Sequence, residues 1–240
     1  MAINPNLLRR PSDRNLFLGA AIVFPLLVLI GYFKSYYFSA FFTDARPIAN
    51  SLVHFHGIVM SVWVIYFVSQ VALIRSKNVK LHITMGFVGV ALAALVVIVG
   101  MATAYDSNLV RQSAPPGVHP HKFFLLPAGD MLLFVIFFAG AIYYRKRPAE
   151  HKSLMLLTAI NFLPAALFRI PAVPPGYETL WAFGIADLIA LGCLGWHTWK
   201  HGKLNKVFAI GVLLFIAGVP ARMMIGETEI WMSFTNWLAS

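Results

Sequence analysis

Charge is what this sequence has least of: only 12% of its 240 residues are Asp, Glu, Lys or Arg, and just 9 are acidic. A soluble domain carries about a quarter charged residues, so with 59% apolar residues the chain is excluded from that class. Cysteine is nearly missing too. Cys193 stands alone, which rules out an intrachain disulfide and a thiolate metal cluster. No HExxH or comparable hydrolase signature occurs either.

Long apolar runs are what the chain does have. Reading for about 18 or more apolar residues gives seven spans: Leu16–Phe33, Leu52–Ile74, Ile83–Ala104, Phe123–Tyr144, Leu154–Ile170, Leu180–Thr198 and Val207–Met224. The expected fold is an all-α polytopic membrane helical bundle, one integral domain over 1–240. A short amphipathic tail follows, with Trp231 and Trp237 as interface anchors.

The net charge of +10 would suggest nucleic acid in a soluble protein. Its distribution points to lipid instead. Arg9, Arg10 and Arg14, then Arg75, Lys77 and Lys80, then Arg145, Lys146, Arg147 and Lys152, then Lys200, Lys203 and Lys206 fall at alternate ends of successive spans. The positive-inside rule therefore sets the N-terminus in the cytoplasm and the C-terminus outside. Lys34, Asp44, Arg46, Asp106, Arg111, Lys122, Glu178, Glu227 and Glu229 belong to the opposite side. The expected surroundings are a lipid bilayer and no nucleic acid.

Six of the eight histidines fall into step. His54-Phe-His56, a span, the basic turn RSKNVK and His82 are echoed by His119-Pro-His121, a span, the turn RKRPAE and His151. That suggests a parallel repeat of 52–104 in 119–170; coincidence of short self-matches is the other reading.

Ionisable groups inside a span are expensive and are functional candidates by default. Counting about 1.5 Å per residue, His56, Asp130, Asp187, Arg169 and Arg222 fall in the outer half, leaving only His82 and His151 in the inner half. The outer set reads as two structural Asp–Arg pairs or as a polar cavity for a small ligand, a proton or a quinone. His54 and His56 point about 200° apart on a helix, so one faces inward. Gln70, on the same face as His56, favours His56 and joins the polar set; His54 then sits at the interface. His82 and His151 are ordinary headgroup-level histidines or, alternatively, two imidazoles on one haem iron. His197 and His201 have metal-ligand spacing but sit in an interface belt with Trp196 and Trp199. A third class uses His56, Asp130 and Asp187 as zinc ligands of a membrane hydrolase, and a fourth is a non-catalytic subunit of a larger membrane complex.

These histidines resemble those of the transmembrane di-haem b-type cytochromes, whose four-helix core holds one haem near each membrane face. The fragments KLHITMGFVG and PAEHKSLM also look like an uncharacterised family of bacterial multi-pass membrane proteins, over spans two to six. The resemblance implies haem b, electron transport and a quinone or protein redox partner. It also implies His82 and His151 as inner ligands, with His54 or His56 and His119 or His121 as outer ones. Departures accompany it: the cytochromes place ligands deeper in their helices, and the four-helix core needs neither seven spans nor the outer charges.

Overall fold

Polar side chains just ahead of the apolar runs fix where the helices begin. Asn50, Asn78, Asn205 and Thr228 each accept a hydrogen bond from the backbone N–H three residues on, at Val53, Leu81, Phe208 and Trp231. Such a cap satisfies a donor that the first turn leaves open. Pro120 and Pro148 open two more helices at the position where a missing N–H costs nothing.

The computed structural model describes residues 14–43, 48–170 and 176–240. Arg9, Arg10, Asp44 and Arg46 lie outside them. The helices are α1 (Arg14–Tyr32), α2 (Ser51–Arg75), α3 (Val79–Tyr105), α4 (Pro120–Tyr143), α5 (Pro148–Ile160), α6 (Leu163–Leu167), α7 (Glu178–His201), α8 (Lys206–Gly226) and α9 (Glu229–Ala239). π-helical turns extend α1 over Phe33–Tyr37 and α3 over Asp106–Val110. Among the described residues there is no strand.

Six helices are long and apolar enough to cross a membrane: Asn15–Tyr37, Ser51–Arg75, Val79–Val110, Pro120–Tyr143, Glu178–His201 and Lys206–Gly226. Their outward faces are apolar, with Phe87 78%, Leu188 68% and Leu213 66% exposed. A surface of that kind is stable only against lipid. The protein is a multi-pass membrane protein.

The span expected at Leu154–Ile170 is not one helix. It breaks at Asn161 and Phe162 into α5 and α6. Pro164 is the cause: it has no N–H for the Ile160 carbonyl, and its ring crowds that carbonyl. The last turn of α5 tightens, Phe162 donating to Ala159 at 3.2 Å, and Pro164 restarts the helix near the first position of α6. From Ser153 to Leu167 nearly every residue is buried, so the broken segment is wrapped by other helices.

Successive helices pack as antiparallel neighbours, α2 on α3, α3 on α4 and α4 on α5, while α8 lies against α4 and α1 lies against α2 and α6. Trp63 at the centre meets Phe134 edge-on at 5.0 Å, and Phe134 meets Phe162 at 5.0 Å. Where α1 crosses α6, a Cβ on Gly31 would lie 2.3 Å from the Ala166 oxygen. Only glycine allows that approach. The turns bearing Arg75 and Lys77, Arg145 to Arg147, and Lys203 form one end, called here the basic end. The amphipathic α9 covers part of the other: Trp231 stacks on Phe124, and its indole N–H donates to the His121 carbonyl at 2.9 Å.

Candidate functional site at the basic end

Asn78 caps α3 and Pro148 opens α5, so His82 and His151 each become the fourth residue of their helix. Sixty-nine residues apart in sequence (151 − 82), their rings come to 6.3 Å between centres, nearly perpendicular at 79°. The His151 Nδ1 lies 2.8 Å from the Ala141 carbonyl. Since a carbonyl only accepts, Nδ1 carries a proton, and Nε2 is the nitrogen left to act as a ligand when the ring is neutral. The His82 Nδ1 is shielded and has no hydrogen-bond partner.

Gln70 shares this layer. The Tyr66 hydroxyl donates to the Met85 carbonyl at 3.1 Å and lies against Gly89, so Gln70, one turn beyond Tyr66, lies toward the start of α3 that bears His82. Trp63 meets Phe134 and Phe138 on α4; seven residues beyond Trp63 and Phe134 lie Gln70 and Ala141. Gln70 is only 8% exposed, and both amide atoms lack a partner. Its fourteen-residue separation from His56 puts it about 21 Å along the helix, so it belongs with His82 rather than with the outer charges.

Two imidazoles gripping one metal atom from opposite sides, at bonds of about 2 Å, have ring centres about 6 Å apart. His82 and His151 fit that spacing. Among the described residues, no three His, Cys, Asp or Glu side chains gather as metal ligands. A bare ion such as zinc wants three or four protein donors. A haem iron needs only two, because the macrocycle supplies the rest.

The outer histidines are engaged differently. His119 is the cap of α4, its Nδ1 accepting from the His121 N–H at 3.2 Å. The buried His121 has its Nε2 3.1 Å from the Gln112 amide nitrogen. His54 is exposed, with the Tyr36 hydroxyl 3.3 Å from its Nδ1. His56, two residues on, is half-buried with an unpartnered Nδ1. No ring contact or hydrogen bond joins the two sets among the described residues. His197 packs on His201 at 4.3 Å and is buried against Phe208.

The outer charges do not line one cavity. Arg222, 7% exposed, pairs with Asp130 at 2.6 Å and also donates to the carbonyls of Leu126 and Gly218 at 2.6 and 2.9 Å. Gly129 makes the room: a Cβ there would sit 2.2 Å from the Arg222 Cδ. With Asp130 taken by a cation, the His56, Asp130 and Asp187 zinc set is not assembled. Arg169 is exposed at the end of α6 and lies 4.5 Å over the Tyr32 ring. It forms no ion pair with Asp187, whose half-buried side chain has an unpartnered Oδ1.

Sequence reasoning passed over Asn161, which is 1% exposed and donates to the Asp130 carbonyl at 2.9 Å. The signal was a lone amide inside an apolar run, three residues before Pro164. Gln112 and Tyr36, in loops or interface turns, gave no such signal.

Comparison of the chain with protein-family models, with curated proteins and with solved structures finds no match.

Proposed function

We propose that this chain is a membrane redox protein with a site for a single b-type haem at its basic end, which His82 and His151 would hold. The observation that carries the reading is the approach of these two rings to 6.3 Å from separate helices. Bound there, a haem supplies one-electron transfer. The Ala141 carbonyl orients His151 and makes its free nitrogen the better donor. The ammonium of Lys80 and the guanidinium of Arg145 suit propionates at the same end. Trp63, Phe134 and Phe138 fill the bundle beyond the layer and exclude water from it. With His119 held as the cap of α4 and His121 beside the Gln112 amide, a quinone or a redox partner would exchange electrons at the basic end alone.

The topology we infer has seven crossings. His151 meets His82 at the basic end, while Arg169 meets Tyr32 at the opposite one. We take α5 and α6 together as one broken crossing on the strength of those two contacts. The basic end is then cytoplasmic by the positive-inside rule, in a bacterial plasma membrane.

The test is a visible spectrum of protein purified from cells with ample haem. A Soret band that sharpens and shifts with dithionite is expected, and its absence defeats the reading. A second reading, a small-ligand binding or accessory subunit, is favoured by the unpartnered polar atoms on Arg222, Asn161 and Asp187. It predicts a haem-free protein whose thermal stability rises with a bound polar ligand.

A further inference from the structure

A groove of about 450 Å³ runs between α1 and α2 at the basic end. Leu18, Ala21 and Ile22 form one wall, and Val68, Val71 and Ala72 the other. Each set repeats at three and four residues, so each lines one helix face. Ala21 and Ala72 keep the helices from filling the space between them. At its mouth, among the described residues, the groove is lined by the polar Arg75 and Ser76.

We infer that this groove binds one anionic phospholipid, an acyl chain lying between α1 and α2 and the phosphate against Arg75. From Val68 to Ser76 it is about 12 Å long, and its volume is within the range of specific ligand sites, about 300–1,000 Å³. It opens sideways to the bilayer, so its natural occupant is already dissolved there. Arg75 makes no hydrogen bond or ion pair with any described residue. A planar guanidinium is suited to paired phosphate oxygens. Lys77 follows in the connecting turn and Lys80 in the first turn of α3, and the described acidic residue at this end is Glu150, on another helix. That imbalance favours an anionic headgroup over a zwitterionic one. The site uses none of the histidines and stands whether or not a haem binds.

Native mass spectrometry of the full detergent-purified chain tests it, with phosphatidylglycerol and phosphatidylcholine as probes. One phosphatidylglycerol per chain is expected to persist at collision energies that strip phosphatidylcholine. Arg75→Gln should weaken retention roughly fivefold, the loss of one basic contact, while Lys200→Gln, at the same end but away from the groove, leaves it unchanged. Ala72→Phe should block the chain; if that variant fails to fold, Arg75→Gln decides alone. Equal retention of both lipids, or equal weakening by Arg75→Gln and Lys200→Gln, would overturn the site in favour of bulk attraction. Displacement of the lipid by millimolar inorganic phosphate would overturn it in favour of a free-phosphate site.

Discussion

At the basic end, His82 and His151 stand at the fourth position of helices that begin just after a basic turn, and their rings meet. At the opposite end the same spelling, His-x-His before a span, gives two different outcomes. His54 and His56 are the fourth and sixth residues of α2, whereas His119 is a cap and His121 the second residue of α4. Pro120 starts α4 later than Ser51 starts α2, and those few residues turn and lower the second pair. His119 then satisfies the N-terminus of α4, and His121 is enclosed by Gln112 and Trp231. Equal letters become equal chemistry only where helix starts are equal.

The sharpest way to break this comparison is to remove histidines one at a time. His82→Ala or His151→Ala should abolish the haem spectrum, while His54→Ala and His121→Ala should retain it; a spectrum lost only in the outer variants would reverse the assignment. Next in size is Arg222→Leu, which leaves Asp130 as an unpaired buried charge and should cost about 3–5 kcal/mol. Equilibrium unfolding in mixed detergent measures it. Adding Asp130→Leu should recover most of that loss, which marks the outer charges as a structural clamp. Gly129→Ala should cost about 1–3 kcal/mol by crowding the same guanidinium. Gln70→Leu removes an unpartnered buried amide, so stability should stay level or rise by about 1 kcal/mol. Its haem midpoint potential should nevertheless shift in redox titration, because an amide dipole has left the ligand layer. Smallest is His119→Ala, a lost cap worth about 1 kcal/mol, with no change in spectrum.

Six long membrane helices were legible because an apolar run is a strong and local signal. The fifth segment misled for the same reason: composition over Leu154–Ile170 is largely apolar, and only Asn161 and Pro164 betray the break. The wrapping of α5 and α6 by other helices follows from packing, which no window of sequence contains. Gln70 shares the helical repeat of His56 but lies about four turns from it, because a shared face does not mean a shared depth. Arg222 could have met either aspartate. Its choice of Asp130 depends on α8 lying against α4 and on Gly129 making room.

The most direct measurement is the number of haems per chain in the purified protein, from the pyridine haemochrome and the protein concentration. About one haem per chain is expected, lost in His151→Ala. No haem, or two with the second lost on removing His56 and His121, would contradict it.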